Sequence, residues 1–355
     1  MRTLATLFHI SDLHIGDVDW AGALRADERL EPRYEDWWRH WSLFDGYFGH
    51  DHRALTHVVD ALIELQRSAV NPIVVFTGDL TACGRASQFL MGATFLGSQV
   101  VLEQHNLLGL KQPSALVRSV PGNHDCWPGS GRILGPRSLA IESLFGACPR
   151  VQRVPLDGGR ALVLIQLDTE ANVEPWGLNR LAARGEFHGQ LTRAAGLLTG
   201  DPAREVRVLV LHHTRLTNAW FSERICARTA EELAAFIADY HVDVLLTGHV
   251  HEPLVGARPV DGQRRASLEF CAGTTAQRPE PPHRWRLSKR RHARRSRHNT
   301  LLVHRVSEAD DGSLHWSADI QARVDDGFAS IAAAGHGDRF KKLRSALAEL
   351  PTRIR

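Results

Sequence analysis

The stretch TLATLFHISDLHIG, residues 3–16, runs apolar and β-branched residues up to Ile10 and then sets Asp12 and His14 on either side of Leu13. In an extended strand, residues i and i+2 point the same way, so the carboxylate and the imidazole converge on one point. Such a point suits a cation. An Asp and a His at the end of a surface strand also commonly just face water, so the pair takes its meaning from the rest of the chain.

Further runs of strand length, rich in Val, Ile and Leu, follow: PIVVFTG (72–78), ALVRSV (115–120), RALVLIQL (160–167), VRVLVLH (206–212), VDVLLTG (242–248), ASLEFCAG (266–273) and TLLVHRV (300–306). Helical stretches lie between several of them. Leu55, Val58, Val59, Leu62 and Leu65 form a stripe at helical spacing, and Thr229 with Glu232 reads as a capping box ahead of Leu233, Phe236 and Ile237. Helices alternating with strands early, then strand after strand late, predict a layered α/β domain with more than one sheet.

Chemistry-bearing residues fall at the ends of five of these strands. The first leads to Asp12 and His14, the second to Asp79 in GDLTACG, and the third to Asn123, His124 and Asp125 in PGNHD; the remaining two lead to His212–His213 and to His249 and His251 in GHVH. Ligands of open α/β sheets bind beyond the carboxyl ends of strands, so all five clusters are expected on one rim. Gly78, Gly122 and Gly248 each precede a polar candidate, where the backbone turns sharply off its strand; Gly84 reads equally well as an ordinary loop glycine.

In this order, DLH, GDLTACG, GNHD, a strand-terminal His and GHVH resemble the motifs of the calcineurin-like metallophosphoesterase superfamily, and all are intact between residues 12 and 251. The resemblance implies an α/β fold, a four-layer α-β-β-α sandwich with a dinuclear metal site at the strand ends. It implies one ion held by Asp12, His14, Asp79 and His251 and another by Asp79, Asn123, His212 and His249, with Asp79 bridging. Thr214 stands where the family often has proline, which leaves His212 and His213 as candidates; the usual alignment of the motif selects His212. Two divalent ions at such a site can acidify a water, hold a phosphate oxygen and neutralise an in-line displacement. The donors are nitrogens and oxygens without thiolate, which suits Mn, Fe or Zn. His124 is placed to protonate the departing alkoxide, with Asp125 fixing its tautomer. Cys126 reads as a packing residue.

Within that superfamily, the loop GDLTACG and Asp125 after GNH differ from the Ser/Thr phosphoprotein phosphatases. His124 differs from the lipid A pathway enzymes, and His14 from the purple acid phosphatases. What remains is similar to small bacterial cyclic-nucleotide and glycerophosphodiester phosphodiesterases, so a small phosphodiester is the expected substrate. The alternative is a nuclease, and a non-catalytic scaffold of the same fold comes third. For the nuclease speaks HRWRLSKRRHARRSRH (283–298), with eight Arg and Lys, no acid, and Trp285 to stack a base. The formal net charge of +3 resides in that segment; the remainder is net acidic, which argues against a polyanion partner for the whole surface.

The 355 residues accommodate a catalytic domain over 1–325, interrupted by a Trp-rich insert (17–50, with Trp20, Trp37, Trp38 and Trp41) and a Pro- then Arg-rich loop (276–298). A helical tail is expected over 326–355. Five widely spaced cysteines without a CxxC pair predict free thiols. No apolar run reaches the roughly 18–20 residues of a membrane span, and the first strand leaves no room for a signal peptide; both point to the cytoplasm. Oligomeric state is not legible in the sequence.

Overall fold

The computed structural model describes residues 1–16, 50–103, 106–129, 133–216, 225–260, 266–277, 298–324, 327–333 and 340–355. Apart from His50, the insert read at 17–50 lies outside them, and so does the basic stretch 283–298 apart from His298.

The chain starts with β1 (Arg2–Ile10), crosses through α1 (His52–Arg67) to β2 (Pro72–Phe76), and passes α2 (Ala86–Gly97), the small hairpin β3 (Val100–Glu103) and β4 (Asn106–Leu108), α3 (Pro113–Val117) and α4 (Ala140–Phe145). It continues through β5 (Arg150–Leu156), β6 (Arg160–Gln166), α5 (Leu178–Leu181), α6 (His188–Leu197), β7 (Glu205–Val210), α7 (Ala227–Asp239), β8 (Val244–Thr247), β9 (Pro253–Pro259) and β10 (Ala266–Ala272). It ends with β11 (Thr300–Glu308), β12 (Leu314–Val324), β13 (Gly327–Ser330) and α8 (Lys341–Glu349).

Two large sheets result, ordered β13-β12-β11-β1-β2 and β5-β6-β7-β8-β10-β9. Alternation along the strands assigns each side chain to a layer. Ile73 and Val75 of β2 meet Leu162, Val208, Val210 and Leu246 in a core between the sheets. Val74 and Phe76 point the other way, onto Leu55, Val58 and Leu62 of α1 and Phe89 of α2. Val163, Ile165, Leu209 and Leu245 pack outward against Leu233, Phe236 and Ile237 of α7. Strands covered on both faces read as continuous apolar runs, which is why the central strands are visible in the sequence. The four-layer α-β-β-α sandwich is the observed architecture.

Four local expectations are corrected. ALVRSV is no strand: Pro113 at the helix start pre-sets the backbone for α3, and only Ser119 keeps a bridge to Phe76. The capping box at Thr229 does not form, because α7 starts earlier, with Cys226 as N-cap, and Glu232 pairs with Arg228. The segment read as a helical tail begins with β13, whose Phe328 packs toward the α1 layer. After α8 the chain returns to backbone pairing with Leu314, so the terminal residues seal the inter-sheet core instead of lying on it. All five cysteines are free, and among the described residues no helix is long and apolar enough to cross a membrane.

A polar chain runs through the inter-sheet core. Trp316 Nε1 donates to His304 Nδ1 (3.2 Å), His304 Nε2 meets His9 Nδ1 (3.4 Å), and His9 Nε2 meets Thr77 Oγ1 (3.0 Å). An indole can only donate, so His304 carries its proton on Nε2 and passes the same choice to His9. Burial pushes His9 down to about 3 and His304 well below its ordinary value. Folding therefore favours the neutral rings, and stability is lost as pH falls below the unfolded value near 6.5. Each histidine contributes a slope of about 1.4 kcal/mol per pH unit down to its folded pKa. Urea unfolding in chelator at pH 7 and pH 5 should show that slope reduced by about one proton in His304→Gln; equal slopes would refute the assignment.

Candidate metal centre

Parallel pairing of β1 with β2, Ile10 opposite Phe76, and of β7 with β8, Val210 opposite Leu246, makes the loops beyond these strands leave side by side. Their backbones are stitched together: Asp12 N–H donates to Gly78 O (2.9 Å), His14 N–H to Asp79 O (3.0 Å), and Gly248 N–H to His212 O (2.9 Å). Asp12, His14, Asp79, His249 and His251 all adopt left-handed backbone, with φ between 50° and 76°. Each such residue costs roughly 1–2 kcal/mol. The apolar layers beneath offset that cost, at roughly 1.5–3 kcal/mol per buried Val, Leu or Ile. Of the three expected turn glycines only Gly78 is left-handed (φ 95°). Gly122 and Gly248 serve close approach instead, since a Cβ on the first would strike the Asp79 carboxylate and on the second would lie 2.6 Å from Asp12 Oδ2.

Asp12, His14, Asp79 and His251 present ligand atoms within 4.8 Å of one another. His251 Nε2 lies 3.1 Å from both His14 Nε2 and Asp12 Oδ1, and His14 Nε2 lies 3.8 Å from Asp79 Oδ2. A second constellation adjoins it. Asp79 Oδ2 is 3.3 Å from His212 Nε2, while Asn123 Oδ1 is 3.0 Å from His212 Nε2 and 2.9 Å from His249 Nδ1. Atoms about 2.1 Å from a common ion stand roughly 3.0–3.4 Å from one another at octahedral and tetrahedral angles, a spacing that the shorter contacts of each set approach.

The carboxylates pass the same test. Asp12 Oδ2 is tied by the Ser11 hydroxyl and by His249 N–H (3.1 Å), and Asp79 Oδ1 by His124 N–H (2.8 Å). Their other oxygens, Asp12 Oδ1 and Asp79 Oδ2, are buried without a hydrogen-bond partner and face imidazole nitrogens. Burial alone would raise both carboxyl groups, yet the surrounding imidazoles hold them below the usual carboxylate range. Burial lowers His212, but the Asp79 charge outweighs it and pushes His212 up to about 10. The centre is a buried negative potential lined by nitrogen and oxygen donors, and it suits divalent metal ions.

His213 is not in either set. Its Nδ1 meets Thr169 Oγ1 (2.7 Å) and its Nε2 faces Glu170 Oε1 (3.6 Å), so the adjacent pair divides its work and His212 alone faces Asp79. Asp125 does not orient His124. It accepts from the backbone of Gly122 (2.9 Å), Leu80 (3.2 Å) and Thr81 (2.8 Å) and from the Thr81 hydroxyl (2.9 Å), clamping the GDLTACG loop to the GNHD loop. Burial and the nearby Asp79 push its carboxyl up to about 6. The expectation failed because a carboxylate ringed by N–H donors has no lone pair to spare for a neighbouring ring. His124 is fixed by the Ala82 carbonyl at Nδ1 (2.8 Å), and burial holds it down at about 3. Cys126 is fully buried, and burial pushes its thiol up.

Sequence reasoning overlooked the end of β6. Asp168, Thr169 and Glu170 follow β6 and support His213; Glu170 pairs with buried Arg180 (2.7 Å) and Asp168 with Arg137. Burial pushes Glu170 up to about 7 despite Arg180. The signal that could have found them is the one seen after β1, β2, β7 and β8: polar residues directly after an apolar strand.

The chain is similar to known proteins over most of its length. The chain covers 93% of its length on a purple acid phosphatase from yellow lupin (Lupinus luteus) seeds, at 14% identity and TM-score 0.49, and spans about half (53%) of that protein. It is similar over the same 93% to a dimetal phosphatase from Danio rerio, covering 99% of that chain at 15% identity and TM-score 0.49. GAP50, the anchor in the inner membrane complex of Plasmodium, matches over 98% of this chain and 95% of its own at 12% identity and TM-score 0.44. No curated protein sequence matches the chain. The family model described as calcineurin-like phosphoesterase matches residues 5–253, the span that holds every donor described above, and the chain belongs to that family.

Proposed function

We propose that this phosphoesterase is a phosphodiesterase for a small diester such as a cyclic nucleotide, working with two divalent ions of Mn, Fe or Zn. One ion would rest on Asp12, His14, Asp79 and His251, the other on Asp79, Asn123, His212 and His249. The observation that carries the reading is Asp79 Oδ2, unbonded and buried between His14 Nε2 (3.8 Å) and His212 Nε2 (3.3 Å). When bound, such ions supply an acidified water and neutralise the charge of the phosphoryl group.

The chain's own residues do the rest. Ser11 and the His249 amide turn one oxygen of Asp12 away, so the other faces the site. His212 donates Nδ1–H to Thr77 O (2.7 Å), which turns its Nε2 toward Asp79. His124 is held at Nδ1 and offers Nε2 to the leaving oxygen. Its burial keeps it neutral until an anionic phosphoryl group in front of it raises its pKa, after which it can give a proton to the departing alkoxide. The diester preference rests on the GDLT and VPGNHD stretches, and a reducing cytoplasm fits the five free thiols.

The metal-reconstituted enzyme tests this against a phosphomonoester, cyclic nucleotides, glycerophosphodiesters and single-stranded DNA. Preferential turnover of a cyclic nucleotide or glycerophosphodiester is the expected result. The competing reading, a nuclease, draws on the eight cations of 283–298. It predicts DNA cleavage that falls steeply with salt and is lost when Arg290, Arg291, Arg294 and Arg295 become Ser. That outcome would replace the phosphodiesterase with a nuclease.

A further inference from the structure

We infer that Trp127 is a positioning residue for His124, holding the plane of its ring so that Nε2 stays aligned with the leaving oxygen. The inference rests on the reading of His124 as proton donor to that oxygen.

The two rings stack with centroids 3.8 Å apart and planes 30° from parallel. His14 approaches the same imidazole edge-on, at 4.5 Å and 81°, and the Ala82 carbonyl holds Nδ1 at 2.8 Å. The hydrogen bond at Nδ1 fixes where that atom points but does not by itself set the plane of the ring. The indole face restrains that plane. Proton transfer needs the donor within about 10–20° of its productive direction, so a rocking ring would transfer poorly even with its chemistry intact.

The platform itself is fixed. Trp127 is 4% exposed, and its N–H donates to His124 O (3.2 Å), the compact turn that brings residues 124 and 127 face to face. Gly84, left-handed at φ 77°, lets the GDLTACG loop lie against it, since a Cβ there would strike the Trp127 carbonyl oxygen. Gly129 N–H donates to Cys83 O (3.1 Å) and Arg85 Nε to Gly129 O (3.2 Å), tying the residues after the indole to the loop that also carries Ala82. The Ala82 and Trp127 contacts to His124 thus come from one stitched unit.

A double-mutant cycle with two substrates separates positioning from mere packing. Wild type, H124A, W127L, W127F and H124A/W127L are loaded with the same ion, and metal content is measured by elemental analysis. Turnover is then compared on a nitrophenyl diester and on an alkyl diester, whose leaving group needs the proton. General acid catalysis is worth on the order of 10²–10⁴-fold, so misalignment in W127L should cost about tenfold or more on the alkyl diester. On the nitrophenyl ester the loss should stay below about threefold. Metal content should be unchanged, W127F should restore most of the rate, and W127L should cost nothing further in the H124A background. Trp127→Met, which fills the space with a flexible side chain, replaces W127L if that variant does not fold. Equal losses on both substrates, or an additive loss in the H124A background, would overturn the role of Trp127. If H124A itself fails to discriminate the leaving groups, the reading of His124 falls, and this inference with it.

Discussion

Asp79→Asn should abolish turnover and empty both metal positions. The substitution is close to isosteric, asparagine tolerates the left-handed backbone of residue 79 (φ 55°), and an amide oxygen can still accept from the His124 N–H. What disappears is the negative charge that faces both His14 Nε2 and His212 Nε2. Losing a charge shared by two ions removes several kcal/mol of transition-state stabilisation, which is on the order of a thousandfold or more in kcat/KM. Circular dichroism should show the fold retained while elemental analysis shows both ions depleted. Full activity with two ions bound would be incompatible with the shared carboxylate.

Chelation should weaken the whole domain as well as silence it. Apart from Asn123, the donors lie at the ends of β1, β2, β7 and β8, so ions held in the proposed centre would tie the two sheets together at one rim. A ligand that binds only the folded state at a thousand times its Kd adds roughly 4 kcal/mol. Two ions should therefore raise the thermal midpoint markedly over the chelated protein. His14, His251, His212 and His249 supply imidazole nitrogens, which favour Fe or Zn over Mg or Ca, while the carboxylates beside them also accommodate Mn. Calorimetry should show recovery with Mn or Zn and little with Ca. A midpoint indifferent to chelator would mean that the rim holds no ion.

The strands that carry the site were legible because they are covered on both faces. Val206, Val208 and Val210 face one core and Leu209 another, and from Val208 to Leu211 the run is unbroken, Arg207 alone interrupting it near the strand start. By contrast β12, LHWSADIQARV, interleaves Ser317, Asp319, Gln321 and Arg323 with its apolar residues and gives no continuous signal. Most donors were legible because they stand within a few residues of the ends of β1, β2, β7 and β8; Asn123 instead follows the short helix α3. Their partners were not. Asp125 reads as a catalytic carboxylate until its four hydrogen bonds are seen, since sequence gives no hint of which neighbouring loop supplies N–H groups. Glu170 and Arg180 meet only because the loop after β6 folds back beneath His213. Nothing in the sequence marks Trp127; only the turn from 124 to 127 stacks it on His124.

Anomalous diffraction from Mn-loaded crystals tests the central claim most directly, because it locates the ions without relying on activity. Two peaks about 3.5–4 Å apart are predicted, one against Asp12, His14 and His251, the other against Asn123, His212 and His249, with Asp79 Oδ2 between them. A single peak, or two peaks that do not share Asp79, would contradict the dinuclear centre.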